Sequence, residues 1–351
     1  MNPFYNPAQH RLRAFWRLLI QIVLFLLGTI AFGLAIVLAA AGIWLVAGQI
    51  PAGEAADSSA FSWLMVEKMV GASWLGLLLT LGSLLVMLLT FWVAGRFLDR
   101  RSFKDFGFHV DAAWWRDLAF GLALGALLMV LIFGAELAAG WVTITGTLQS
   151  LESGVGLVQG LALFVCVGIY EEMFSRGYHL RNMAEGLNIK WLGPKWALGL
   201  GYLLSSTIFG MLHLANPNTS LMSTFNLIIA GLFLGLGFIL TGELAIPIGL
   251  HITWNFFQGN VFGFPVSGGA SSASLIAIRQ GGPTLWTGGA FGPEAGLIGL
   301  LAILLGSVLV VWWVRRTRGR VAWQTHLAEY VPPASKIAHR SGSNDSSHSP
   351  D

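Results

Sequence analysis

Long apolar segments constrain the fold of this chain more than any other feature. The first runs from Phe15 to Ile50 almost without interruption, whereas one transmembrane helix needs only about 20 apolar residues. Since backbone groups in lipid must be satisfied within the segment, such stretches are expected to be helices. Together they predict an all-α, polytopic integral membrane protein with about eight transmembrane helices, at 15–50, 73–94, 118–142, 154–178, 196–214, 221–241, 244–262 and 294–314.

Composition agrees with the membrane assignment and excludes other classes. The chain has 55% hydrophobic and 11% charged residues, whereas a soluble domain has about 25% charged residues. The net charge of +3 does not indicate nucleic-acid binding, because the basic residues lie in loops between apolar segments. The single cysteine, Cys166, excludes an internal disulfide.

The distribution of basic residues predicts the orientation. If the N-terminus is cytoplasmic, 18 of the 20 lysines and arginines fall on the cytoplasmic side, and only Lys68 and Arg279 fall outside. This asymmetry follows the positive-inside rule and predicts that both termini are cytoplasmic. We expect an integral protein of a bacterial inner membrane with one transmembrane domain at 1–325. The Ser-rich segment 326–351 is expected to be a disordered cytoplasmic tail.

Two adjacent carboxylates and an arginine occupy the end of the fourth apolar segment. On a helix, Glu172 and Arg176 lie four residues apart on one face, whereas Glu171 is rotated away by roughly 100°. Arg176 would then neutralise Glu172 and leave Glu171 free to act as a general base. Ionisable residues in a membrane segment are by default functional candidates. The alternative is that all three are ordinary charges at the cytoplasmic interface.

Two further polar pairs have helical spacing in apolar surroundings. Phe209 and His213 lie four residues apart, as do His251 and Asn255. A single membrane histidine could simply satisfy an interhelical hydrogen bond. Two histidines, an asparagine and a carboxylate pair on neighbouring helices instead supply what hydrolysis of a buried amide needs, which is a base, a group that orients water and donors for the oxyanion.

The ordered motifs resemble a known protease family. Glu-Glu-x-x-x-Arg at 171–176, Phe-x-x-x-His at 209–213 and His-x-x-x-Asn at 251–255 are similar to the signature of the CPBP family of intramembrane glutamic endopeptidases. That family includes CAAX prenyl endopeptidases and bacterial proteins linked to bacteriocin processing and self-immunity. The resemblance covers roughly 96–260, including a Lys-Asp-Phe-Gly-Phe segment at 104–108.

The resemblance implies a role for each motif residue. Glu171 would activate water and His213 would position it. His251 and Asn255 would stabilise the tetrahedral oxyanion. Glu172, Arg176 and Phe209 would support the site. The reaction would be cleavage of a peptide bond in a membrane-associated peptide or protein at the lipid bilayer, without a cofactor and without a covalent acyl-enzyme.

Two alternatives to a metal-free protease use the same residues. Glu171, His213 and His251 could bind zinc and leave an open position for water, which would give a zinc-dependent membrane protease. The chain could also be a non-catalytic membrane binding or immunity protein, or a transporter. A transport path predicts polar residues along several helices, whereas here they concentrate in three motifs.

The predicted topology leaves a problem of depth. Glu171 and His251 fall towards the cytoplasmic side, whereas His213 falls near the outer end of a fifth helix that begins at Trp196. They meet only if the fourth helix extends well past Arg176 or if the segment 181–195 dips into the membrane.

Overall fold

The structure is a computed structural model that describes residues 2–48, 73–148, 151–271 and 273–331. The predicted loop at 51–72 lies outside these residues. The helices are α1 (Ala14–Val46), α2 (Ser73–Val93), α3 (Ala112–Ala138), α4 (Leu151–Glu172), α5 (Arg181–Leu187), α6 (Gly193–Met211), α7 (Leu221–Thr241), α8 (Ala245–Phe256), α9 (Thr284–Thr287) and α10 (Leu297–Arg318).

The prediction of an all-α polytopic membrane protein is confirmed, but the count of eight membrane spans is not. Among the described residues, six helical segments are long and apolar enough to cross a membrane, at 14–46, 77–99, 112–138, 154–187, 221–241 and 297–318. The predicted spans at 196–214 and 244–262 correspond to α6 and α8, which are not among them. Helix α8 has only 12 residues, and its first eight are all buried within the protein.

Close packing of α3 against α8 sets the centre of the fold. A Cβ atom at Gly121 would lie 2.5 Å from the carbonyl oxygen of Ile246, and one at Gly249 would lie 2.4 Å from that of Leu118. Glycine therefore allows the two backbones to touch, as is common between membrane helices. Gly125 packs in the same way against the carbonyl oxygen of Leu250. This contact fixes the position of His251 on α8.

The fourth helix continues far beyond the predicted end at 178. After α4 the chain forms a π-helix at Met173–Leu180 and then α5, so that 154–187 is one helical stretch of 34 residues. At about 1.5 Å per residue, Glu171 lies roughly 24 Å from Leu187, and His213 lies roughly 30 Å from Gly193. The two side chains are therefore at similar depth. Of the two arrangements that would bring Glu171 and His213 together, the structure has the one in which the fourth helix extends well past Arg176.

The segments predicted to face outward contact one another. Strand β3 (Val142–Thr147) pairs antiparallel with β4 (Ile276–Gln280), with a register shift between Ile144 and Gly146. Short 3₁₀ turns at Gly289–Phe291 and Pro293–Ala295 then lead into α10. The predicted start of the last span at Glu294 is therefore three residues early, and Glu294 lies in a turn outside the helix.

The segments predicted to face inward also meet. A small hairpin of β1 (Tyr5–Asn6) and β2 (Arg11–Leu12) precedes α1, a π-turn (Ala94–Asp99) follows α2 and a 3₁₀ turn (Phe103–Phe106) leads towards α3. Helix α3 begins at Ala112, six residues before the predicted third span. Asp111 caps it by accepting a hydrogen bond from the backbone N–H of Trp114 at 2.8 Å.

A buried arginine cluster lies at this end of the molecule. We use this name for four arginines and two carboxylates that are each at most 8% exposed, namely Arg11, Arg17, Arg101 and Arg181 with Asp99 and Glu185. Glu185 contacts all four guanidinium groups, including that of Arg11 at 2.7 Å and that of Arg181 at 3.6 Å. The cluster joins the hairpin, the segment after α2 and α5.

The segment after α10 is ordered and covers the arginine cluster. Residues Thr325–Ala328 form a 3₁₀ turn in which Leu327 and Ala328 are buried. The ring of Tyr330 stacks on the guanidinium of Arg11, 3.4 Å from its centre. The prediction that a disordered tail begins at 326 is therefore wrong for 326–331. Residues 332–351 lie outside the described residues.

Candidate active site

The carboxylate pair is divided as helical spacing predicts. An Arg176 Nη1 donor lies 2.8 Å from Glu172 Oε1, and both side chains are essentially inaccessible. Arg176 Nη2 donates a second hydrogen bond, of 2.8 Å, to the carbonyl oxygen of Gly231 on α7. The Glu171 side chain points away from this pair and keeps 24% of its surface exposed. One carboxylate is thus fixed and the other is free.

His251 lies between the two carboxylates. Its Nδ1 is 2.7 Å from Glu172 Oε1, and its Nε2 is 3.9 Å from Glu171 Oε2. Because an ionised carboxylate only accepts hydrogen bonds, Nδ1 carries the proton and donates to Glu172. Glu172 therefore orients the imidazole so that Nε2 faces Glu171.

The His213 side chain is hydrogen-bonded to the preceding turn of its own helix. It lies two residues beyond the end of α6, and its Nδ1 is 2.8 Å from the carbonyl oxygen of Phe209. Since a carbonyl oxygen only accepts, Nδ1 is the donor, and in the neutral ring Nε2 is left as an acceptor. An acceptor at this position suits a bound water molecule.

Phe209 connects the arginine to both histidines. The Arg176 guanidinium lies 4.5 Å from the centre of the Phe209 ring. The ring centres of His213 and His251 lie 5.0 and 6.2 Å from it. A guanidinium within about 6 Å of an aromatic face is attracted to the ring. The Phe209 ring therefore packs against Arg176 and both histidines and helps to fix their relative positions.

All four residues predicted to be catalytic line one cavity of about 930 Å³. This volume is within the range of small-molecule and peptide sites. The other lining residues are mainly apolar side chains of α1, α2, α4, the π-helix after α4 and α7, which include Ile22, Phe25, Leu26, Leu77, Met87, Phe164, Phe174, Leu227 and Phe233. A few polar groups thus meet in a mostly apolar space.

The zinc alternative requires Glu171, His213 and His251 to act together as ligands. Among the residues that the structure describes, no group of three or more His, Cys, Asp or Glu side chains is arranged to hold a metal ion. Glu171, His213 and His251 therefore share the cavity without forming a three-ligand site. His251 uses Nδ1 for Glu172, which leaves only Nε2 towards the cavity.

Sequence analysis missed a second polar region of the same cavity. Asn216, Asn260, Ser267 and Glu294 also line it, and none of them belongs to the three motifs. One signal was present, since Glu294 is the only acidic residue between Glu243 and Glu329. A single carboxylate at the start of an apolar segment is a reason to look for a buried partner.

Comparison with known proteins agrees with the family that the motifs indicate. Residues 152–257 match the family model described as type II CAAX prenyl endopeptidase Rce1-like, and this match is consistent with the CPBP family. The matched segment is less than a third of the chain, but it contains every candidate site residue from Glu171 to Asn255. Searches of curated proteins and of solved structures gave no match.

Proposed function

We propose, from the Rce1-like domain at 152–257, that this membrane protein is an intramembrane endopeptidase that cleaves with a Glu171-activated water. The observation that carries this proposal is the division of the carboxylate pair. Glu172 is buried between Arg176 and His251, whereas Glu171 faces the cavity with His251 Nε2 at 3.9 Å. A carboxylate with access to water is what a general base requires.

The first step is attack by water. A water between Glu171 and His213 would donate one hydrogen bond to each, because His213 Nε2 is an acceptor. Glu171 takes the proton as the water oxygen bonds to the carbonyl carbon of the substrate, which gives a tetrahedral oxyanion. Proton transfer by a positioned group of this kind contributes roughly 10²- to 10⁴-fold to a rate.

Stabilisation of the oxyanion falls to His251 and Asn255. The Glu172 carboxylate next to Nδ1 favours the imidazolium form of His251, and in that form Nε2–H is a donor directed to the cavity. The amide of Asn255, one turn further along α8, would supply a second donor. When the intermediate collapses, the C–N bond breaks and the proton held by Glu171 passes to the leaving amine.

The apolar lining favours a substrate that is itself embedded in the membrane. Side chains of α1 and α2, such as Phe25 and Met87, form one wall of the cavity. A peptide segment with apolar residues on either side of the cleaved bond would bury them there, at about 25 cal/mol per Å².

A cleavage assay tests the proposal. Purified wild type, Glu171→Gln and His213→Ala would be incubated with a library of fluorogenic peptides that carry an apolar anchor and are presented in liposomes. We expect cleavage by wild type and loss of at least about 100-fold in both variants. Glu243→Gln is the matched control, because it removes a carboxylate that does not line the cavity.

A chelator separates the mechanisms. Activity that persists in chelator supports the metal-free reaction, whereas activity lost in chelator and restored by zinc contradicts it. Undiminished cleavage by Glu171→Gln also contradicts the proposal. A folded wild type that cleaves no peptide favours a membrane binding or immunity protein.

A further inference from the structure

A second buried carboxylate, outside the three motifs, is connected to the loop that carries His213. Glu294 lies in the turn Pro293–Ala295 before α10 and is 3% exposed. Its carboxylate accepts hydrogen bonds from the backbone N–H of Ser267 and from the side-chain amide of Gln258. Among the described residues it forms no ion pair. The reaction proposed above does not use it.

Glu294 holds both ends of a short outer turn. Ser267 has a left-handed backbone with φ of 48°, which an L-residue adopts only when its surroundings impose it. The same Gln258 amide that contacts Glu294 donates a hydrogen bond of 2.6 Å to the carbonyl oxygen of Pro265. Glu294 therefore fixes the path of the backbone from Pro265 to Ser267.

The turn at Pro265–Ser267 and the next residue, Gly268, are hydrogen-bonded to the loop that carries His213. Asn216 donates a side-chain hydrogen bond of 3.0 Å to the carbonyl oxygen of Ser267, and Asn218 donates one of 3.1 Å to that of Gly268. Within the loop, the carbonyl oxygen of His213 accepts from the backbone N–H of Asn216 at 3.0 Å and from the hydroxyl of Thr219 at 3.1 Å. The chain of contacts thus runs from Glu294 to His213.

The His213 loop follows the end of α6, and that helix holds only its beginning. The Phe209 carbonyl oxygen accepts from His213 Nδ1, and the Gly210 carbonyl oxygen accepts from the backbone N–H of His213 at 3.2 Å. A loop gains precision from hydrogen bonds to a rigid element, and a displacement of about 1 Å can cost 10²-fold in rate. We propose that Glu294 is a positioning residue that fixes the water-binding His213 through Ser267 and Asn216. This proposal deepens the proposed function and rests on it.

The neighbours of Glu294 make the contact sensitive to pH. Its facing groups are uncharged, namely Gln258 after α8, Ser267 in the outer turn and, beside the next residues, Asn226 of α7. The titratable groups that share its cavity are Tyr170, Glu171, His213 and His251. Burial raises the pKa of Glu294 to about 7, and the hydrogen bonds from Ser267 and Gln258 only partly oppose this.

The direction of the pH effect follows from linkage. In the closed loop the pKa of Glu294 is about 7, whereas an exposed glutamate has a pKa of about 4.3. Closure therefore favours protonation, and the stability of the closed arrangement falls as the pH rises from about 4.3 to about 7, where the loss is complete. His213 should be held most firmly near pH 4 and least firmly at pH 7 and above.

Three variants test the proposal by activity. Glu294→Ala should lower kcat about 10- to 100-fold with little change in KM, and Asn216→Ala should do the same. Glu294→Gln, which stays neutral, should keep most of the activity and lose the decline that wild type shows as the pH rises to about 7. Glu136→Gln is the matched control. It neutralises another buried carboxylate, bound to Gln280 of β4 and not lining the cavity, and should keep the decline with rising pH.

Hydrogen–deuterium exchange gives a readout that does not depend on cleavage. Backbone amides of 212–220 should exchange faster in Glu294→Ala than in wild type, and in wild type the opening free energy should fall as the pH rises to about 7, after correction for intrinsic exchange. If the exchange differs in this way but no peptide is cleaved, the proposed function fails and the positioning role stands. Unchanged exchange in Glu294→Ala, or a decline with rising pH that persists in Glu294→Gln, overturns the positioning role.

Discussion

The arginine cluster and the candidate active site are built from the same kinds of groups, but they differ in that the candidate active site opens onto a cavity. In the arginine cluster, Glu185 is enclosed by four guanidinium groups and Tyr330 covers the surface. In the active site, Glu172 has two cationic neighbours and the adjacent Glu171 opens onto a cavity of about 930 Å³. Burial of paired charges is therefore not sufficient to mark a catalytic site. A free carboxylate beside the paired one is the distinguishing feature.

Removal of the free carboxylate should have the largest effect on activity and almost none on stability. We expect Glu171→Gln to lower kcat/KM by roughly 10²- to 10⁴-fold. Its midpoint of unfolding by SDS in mixed micelles should stay close to the wild-type value, because the contact of Glu171 with His251 Nε2 is long, at 3.9 Å, and the Glu171 side chain is 24% exposed. A peptide cleavage assay and the unfolding titration measure the two quantities. A large loss of stability would make Glu171 a structural residue like Glu185.

At the arginine cluster, removal of a carboxylate should lower stability strongly and leave activity almost unchanged. Glu185→Gln leaves four guanidinium groups with Asp99 as the one remaining carboxylate of the cluster, and loss of one partner from a buried pair costs about 3–5 kcal/mol. The free energy of unfolding should fall by this amount, whereas the activity of the folded fraction should be retained. Glu243→Gln, which breaks a half-exposed pair with His109, should cost less than about 1 kcal/mol.

Glu172 is a buried, paired carboxylate like Glu185 and also contacts His251 in the candidate active site. Its substitution should therefore lower both stability and activity. Glu172→Gln removes the charge that Arg176 and His251 share. We expect stability to fall by about 3 kcal/mol and activity to fall roughly 10- to 100-fold, less than for Glu171, because Glu172 acts through His251. Kinetics at a temperature where the variant is folded separate the two losses. An activity equal to that of wild type would show that Glu172 has only a structural role.

The smallest effect is expected at the surface of the arginine cluster. Tyr330→Leu removes the ring that lies 3.4 Å from the guanidinium of Arg11 and 4.9 Å from that of Arg101. A contact of this kind is worth about 0.5–2 kcal/mol, and activity should not change. Tyr330→Phe keeps the ring and should match wild type in the same unfolding titration. Equal destabilisation by both variants would assign the effect to the hydroxyl.

The parts of the site that the sequence predicted are those set by local geometry. The pairing of Glu172 with Arg176 follows from a spacing of four residues on one helix. The gathering of three motifs into one cavity followed from their resemblance to a family. The links from Glu294 to Ser267 and from Asn216 to Ser267 join residues 27 and 51 positions apart, and no periodicity encodes such contacts.

The same distinction explains what the sequence predicted of the fold. Hydropathy identified the long lipid-facing helices because lipid selects continuous apolar sequence. It overstated α8, because burial among other helices selects apolar residues just as lipid does. The continuation from α4 to α5 was hidden by the polar residues of 171–187. Two of them are paired inside the protein, since Glu185 contacts Arg17 and His179 contacts Gln21.

The covering of Arg11 by Tyr330 has a consequence for biosynthesis. The arginine cluster combines residues from the hairpin before α1, from the segment after α2 and from α5, and the last aromatic contact comes after α10. During translation, Arg11 and Arg17 emerge more than 80 residues before Asp99 and more than 160 before Glu185. Two cationic side chains must therefore wait without their partners while several helices enter the bilayer, and the last stacking contact forms only once Tyr330 has left the ribosome.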